Sequence, residues 1–123
     1  MARVLLVEDE EIIRQLVTIR LEMAGHEIAY AEDGKAGMEA ALAETPDLVL
    51  MDMNMPVMGG SDAVAGLREQ GYEGRVVALT ASTDRAENEK ALAAGFDAIM
   101  KKPIDSDFEA LVAEHVATAG AED

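Results

Sequence analysis

Four apolar residues in a row, Leu48-Val49-Leu50-Met51, constrain this chain more than any other feature. A strand with one face in water alternates apolar and polar residues. An unbroken run of this length fits a strand buried on both faces, the usual state in a parallel sheet. Parallel strands need long crossovers, most often helices. The chain supplies both parts in alternation. Residues 3–7, 26–31, 75–79 and 97–100 read as four more strands. Between them lie stretches with helical spacing. Ile13, Leu16, Val17, Leu21 and Ala24 form one stripe, which Ile12, Ile19 and Met23 widen. Residues 35–43 are Ala-rich, with Met38 and Leu42 on one face. A third helix follows a Ser61 cap and carries Val64 and Leu67. Thr83 or Asp84 caps a fourth, and Gly25 and Gly95 are helix stops. A last helix opens at Asp105 or Ser106, with Phe108, Leu111, Val112 and Val116 inward. Strand and helix alternate five times, which implies an α/β fold with helices on both faces of a parallel sheet.

Composition narrows the function classes. At 123 residues the chain is expected to form one domain over 1–119, with 120–123 as a disordered tail. Cysteine is absent, which excludes disulfides, thiolate zinc sites and cysteine nucleophiles. Only Tyr30, Tyr72, Phe96 and Phe108 are aromatic, so the core must be aliphatic. A net charge of −15 disfavours direct contact with nucleic acid or an anionic membrane. Acids at positions 8–11 interrupt the N-terminus too early for a signal peptide, and no stretch is long and apolar enough to span a bilayer. A cytoplasmic location is the expectation.

In a parallel sheet all strands end on one edge, where open α/β folds bind their ligands. The residues expected there are Glu8 and Asp9 after the first strand, Asp52 after the third, Thr80 after the fourth and Lys102 after the fifth. A lone acid at a strand end is commonplace. Three acids, a hydroxyl and an amine at matching places are not. Crowded carboxylates repel unless a cation joins them, and a hard divalent ion with oxygen ligands suits them. The backbone carbonyl of Asn54 could add a further ligand. A threonine hydroxyl and a lysine ammonium suit phosphoryl oxygens. A carboxylate can itself accept a phosphoryl group as a nucleophile.

Val7-Glu8-Asp9, the stretch from Leu50 through Asp52, Asn54 and Pro56 to Gly60, Leu79-Thr80-Ala81 and Lys102-Pro103 together resemble the receiver domain of two-component response regulators, over nearly the whole chain. The resemblance implies a flavodoxin-like, three-layer fold of five strand–helix units with strand order 2-1-3-4-5, the order of chemotaxis receivers. It implies Asp52 as phosphoacceptor and Mg2+ (or Mn2+) held by Glu8, Asp9, Asp52 and the Asn54 carbonyl. Thr80 and Lys102 would hold phosphoryl oxygens. Its implied donors are a sensor histidine kinase or a histidine phosphotransfer protein. The expected role is a stand-alone regulator, not an enzyme, that signals to an unknown output protein by phosphorylation-dependent contact. Alternatives for the output are an intermediate step in a phosphorelay and a phosphate-independent interaction module.

One departure matters. The family usually carries Tyr or Phe three residues before the lysine, and here that position is Ile99. A β-branched side chain cannot swing as a ring does. The expectation is that activation couples through Thr80 with a smaller or different change at the fourth helix. Asn54 and Ser82 hold the places that tune phosphoryl lifetime in the family. Ile12, beside the acids, is a candidate contact for a phosphodonor helix. Lys101, His26 and His115 are read as structural or solvated. A phosphohydrolase with Asp52 as nucleophile is the enzymatic rival, disfavoured because such proteins want an acid where Asn54 stands.

Overall fold

The protein is described by a computed structural model over residues 2–53, 55, 58–81, 84–101 and 107–121, with side chains through residue 117. Five strands, β1 (Arg3–Val7), β2 (Glu27–Ala31), β3 (Leu48–Asp52), β4 (Val76–Thr80) and β5 (Ala98–Lys101), alternate with five helices. The helices are α1 (Glu11–Met23), α2 (Gly34–Glu44), α3 (Gly60–Glu69), α4 (Arg85–Ala94) and α5 (Phe108–Ala121). All strand pairs are parallel, and their order is β2-β1-β3-β4-β5, the order that the receiver-domain resemblance implies.

Burial follows the sequence pattern. Every residue of β3 and β4 is buried, whereas edge strands β2 and β5 are largely half-buried or exposed. The two-residue period of a strand divides the core into two layers. Leu5, Val7, Val49, Met51, Val76 and Ala78 face α2, α3 and α4, meeting Ala41, Val64, Leu67 and Ala91. Val4, Leu6, Leu48, Leu50, Val77 and Leu79 face α1 and α5, meeting Val17, Leu21, Phe108 and Val112. The chain steps from β1 to β2 in one direction and from β2 to β3 in the other. Crossovers of one hand then put α1 and α2 on opposite faces.

Caps and stops account for the element ends. The Asp33 carboxylate accepts from the Ala36 amide at 2.8 Å and starts α2. Asp84 does the same for α4 with Ala86 at 2.9 Å. Gly25 and Gly95 end α1 and α4 at φ of 95° and 131°, values that favour glycine. Two expectations need correction. Ser61 does not cap α3. The helix begins at Gly60 with Gly59 as its cap, because the Gly60 amide bonds the Met53 carbonyl at 3.0 Å and draws the start forward. Leu16 is not core but 45% exposed. At 100° per residue it lies roughly 100° around the helix from Val17, which points into the sheet. At the C-terminus α5 takes in Gly120 and Ala121 of the segment expected as a tail.

Candidate functional site

The switch in chain direction lies between β1 and β3, and the candidate site forms at their carboxyl ends. Val7 pairs with Met51, so the next residues, Glu8 and Asp52, are brought side by side. Glu8, Asp9 and Asp52 each present a carboxylate oxygen, and these lie within 4.8 Å of one another. Glu8 and Asp52 are buried, whereas Asp9 is exposed. Thr80 is buried at the end of β4, one step beyond Leu79, which pairs with Asp52. Four of the residues expected at the sheet edge are therefore there. Lys102 and Asn54, like Ser82, lie outside the described residues. Lys101 is exposed at the end of β5, as expected of a solvated neighbour.

The floor of the site is tightly built. The Glu8 amide donates to the Ala31 carbonyl at 3.0 Å, and the Met53 amide to Leu79 at 3.1 Å. A Cβ placed on Gly60 would stand 2.5 Å from the Asp52 carbonyl oxygen and 3.0 Å from Met53 Cα. Only a glycine lets α3 approach β3 this closely.

The three acids suit a hard divalent cation. Buried Glu8 has one carboxylate oxygen, Oε2, that accepts no hydrogen bond from the described residues. A buried acceptor of that kind, beside two more carboxylates and with Asp9 open to solvent, matches what Mg2+ or Mn2+ uses.

Ile99 is half-buried, pairs with Ala78 and packs against the core layer that contains Phe96. Phe96 is itself buried, and its amide donates to the Ala91 carbonyl at 3.4 Å. The two histidines have structural partners. His26 Nδ1 accepts from the Ala2 amide at 3.2 Å, and His115 Nδ1 from Arg75 Nε at 3.2 Å. Burial, then the Arg75 charge, push His115 below its ordinary pKa.

On α1, Ile12 is 81% exposed, and Leu16, Ile19 and Met23 are exposed with it. These four fall within roughly 60° of the helix circumference, facing away from the Val17–Leu21 face. The sequence pattern puts Leu16 in the core stripe and lets Ile19 and Met23 widen it, whereas Ile12 is exposed as a partner contact would be. What it missed altogether is Arg14, whose guanidinium donates to the backbone carbonyls of Glu8 and Asp9, the two acids that follow β1. Its signal was an arginine five residues past Asp9, with nothing to mark its direction.

No helix among the described residues is long and apolar enough to cross a membrane. Comparison with known proteins gives a consistent answer. The family model of the response regulator receiver domain matches residues 4–114. The chain is 35% identical over 107 residues to the transcriptional regulatory protein KdpE of Mycobacterium tuberculosis, covering 87% of this chain and 47% of that one. It is 34% identical over 121 residues to the nitrate/nitrite response regulator NarL of Escherichia coli K12, covering 97% and 56%. The chain thus spans about half the length of these curated relatives. Among solved structures, Vibrio cholerae chemotaxis protein CheY4 superposes with a TM-score of 0.86 at 32% identity, over 94% of this chain and 98% of that one. The Francisella response regulator 1452 receiver domain, at 23% identity, shares the fold with a TM-score of 0.89 over the whole of both chains. The carboxylate cluster at the switch point, the strand order and these likenesses agree: the chain belongs to the response regulator receiver domain family.

Proposed function

We propose that Asp52 accepts a phosphoryl group from a phosphohistidine donor and that the phosphorylated protein signals by protein–protein contact. The observation that carries this reading is the meeting of Asp52 with Glu8 and Asp9 within 4.8 Å at the end of a fully buried strand. A carboxylate oxygen of Asp52 attacks phosphorus as the bond to the donor imidazole breaks, leaving an acyl phosphate on the protein. Attack of water on phosphorus later returns the free carboxylate and inorganic phosphate. Transfer of this kind depends mainly on positioning and charge neutralisation.

Mg2+ or Mn2+ held by Glu8, Asp9, Asp52 and the Asn54 carbonyl would neutralise charge on the transferring oxygens. The chain's own residues do the rest. The β1–β3 pairing sets the Asp52 carboxylate beside the other two acids. Thr80, and Lys102 by its place in the sequence, would donate to the phosphoryl oxygens. The reading makes the protein a phosphoacceptor that catalyses only its own phosphorylation and dephosphorylation, in the cytoplasm with its kinase. Label from acetyl phosphate with Mg2+ should enter the protein and be lost in Asp52→Asn. No label in the unsubstituted protein would favour a phosphate-independent interaction module. Repeated turnover of an aryl phosphate would favour the phosphohydrolase.

The row Ile12, Leu16, Ile19 and Met23 supports docking of the donor's helices beside the acids, since exposed apolar rows mark interaction surfaces. At the output side, Ile99 is half-buried against the core and carries no ring, and the Phe96 ring is already buried. We therefore propose that the signal leaves through Thr80 and the loop after it, with little change in α4. Backbone amide shifts with and without beryllofluoride and Mg2+ test this. Shifts throughout residues 84–94 as large as those beside Asp52 would overturn it.

A further inference from the structure

We infer that Arg14 is a positioning residue for the acidic cluster, acting as a clamp on the backbone that carries Glu8 and Asp9. The inference rests on the reading of those acids as a cation site. Arg14 Nη1 donates to the Glu8 carbonyl at 3.0 Å and to the Asp9 carbonyl at 2.9 Å. Its guanidinium carbon lies 5.2 Å from the centroid of the Tyr30 ring, and Nη2 is 3.7 Å from Glu32 Oε1. The side chain is only 13% exposed, although Tyr30 and Glu32 are open to solvent. Two elements beyond β1 therefore orient one guanidinium: α1 supplies it, and the end of β2 stacks and pairs with it.

The arrangement has a specific consequence for the acids. The Glu8 amide is tied to Ala31 at 3.0 Å, and the carbonyls on either side of the Asp9 amide are both tied to Arg14. The peptide planes that set the directions of the Glu8 and Asp9 side chains are thus fixed on both sides. Carboxylates that repel one another would otherwise turn apart in the absence of a cation, and binding would have to order them again. A clamp that removes that freedom raises cation affinity without touching the cation. The two hydrogens of Nη1 lie in the guanidinium plane, which Tyr30 and Glu32 orient, so they serve both carbonyls in a set geometry; a lysine ammonium on a flexible stem does this less well.

Arg20 provides a matched control on the same helix. It pairs with Glu109 and lies 5.5 Å from the Phe108 centroid, so it joins α1 to α5. Mg2+ titrations of the full chain, followed by backbone amide shifts, would compare the unsubstituted protein with Arg14→Met, Arg14→Lys and Arg20→Met. Each would also be unfolded in urea. Arg14→Met should weaken Mg2+ binding about tenfold, and Arg14→Lys should recover only part of that loss. Arg20→Met should lower stability yet keep Mg2+ affinity within about twofold. Equal affinity in Arg14→Met, or full recovery by lysine, would overturn the clamp while leaving the cation site standing. Should Arg14→Met not fold, an Arg14→Lys affinity equal to the unsubstituted protein's refutes it and a loss supports it. Failure of the unsubstituted protein to bind Mg2+ would overturn the site reading and the clamp together.

Discussion

Gly60→Ala should destabilise the protein and misplace the acceptor, whereas Gly59→Ala, one residue earlier, should do neither. Both substitutions narrow the unfolded ensemble, which by itself stabilises by about 0.4–1 kcal/mol where the native backbone accepts alanine. Both positions have ordinary negative or helical backbone, so the difference lies in space. A Cβ on Gly59 meets its nearest atom, the Met53 carbonyl oxygen, at 3.6 Å, an ordinary contact. A Cβ on Gly60 meets the Asp52 carbonyl oxygen at 2.5 Å and Met53 Cα at 3.0 Å, and these are backbone atoms of a fully buried strand. Relief requires moving α3 or the end of β3 by most of an ångström. Overpacking of this kind costs about 1–3 kcal/mol, so the net loss should be about 1–2 kcal/mol. Gly59→Ala should fall within about 0.5 kcal/mol of neutral, its entropic gain offset by the poorer helix cap. Urea unfolding of both variants measures the difference, and the rate of label uptake from acetyl phosphate reports the displacement at Asp52. Because misplacement of reacting groups is costly, uptake in Gly60→Ala should fall by about tenfold or more. A Gly60→Ala protein as stable as Gly59→Ala, with unchanged uptake, would refute the argument from close approach.

Three further outcomes follow from the same structure. His115 is held below its ordinary pKa by burial and Arg75, so below about pH 6.5 the unfolded chain binds more protons than the folded one. Its contribution is complete above that pH and is lost as pH falls toward the folded value. Thermal unfolding at pH 7.5 and 5.5 should show a drop that His115→Gln reduces. Arg68 donates to the carbonyls of Gly95, Tyr72 and Gly74 at 3.0, 2.8 and 2.8 Å and to the Asp97 carboxylate at 3.0 Å. Replacing it with Met should cost about 2–4 kcal/mol in urea unfolding, since four acceptors lose one donor. A loss under about 0.5 kcal/mol would mean that water serves those acceptors equally well. Ile12→Asp should leave stability within about 0.5 kcal/mol, because the side chain is exposed, and should slow transfer from a cognate phosphodonor but not uptake from acetyl phosphate.

The fold was legible because local pattern and global architecture agree. Apolar runs without alternation in β3 and β4 could be satisfied only by a sheet covered on both faces. Parallel strands then had to end together, which is why Glu8, Asp9, Asp52 and Thr80 could be assembled from sequence. Helix spacing was less decisive. Ile12, Leu16, Ile19 and Met23 share a period with Val17 and Leu21, and periodicity alone cannot tell a core stripe from a second apolar row on the same helix. Only the direction in which α1 meets the sheet separates them.

The sequence by itself determined the layers, the strand ends and the chemical types gathered there, since those depend on period and order along the chain. Tertiary structure decided what depends on distance across the chain. It placed three carboxylates within 4.8 Å and put Gly60 against the Asp52 carbonyl. It also aimed Arg14 at the two carbonyls of the acidic turn and left a row of α1 uncovered. A one-dimensional pattern records which residues share a face. How closely two backbones approach, and where a long side chain comes to rest, is set by packing between elements remote in sequence.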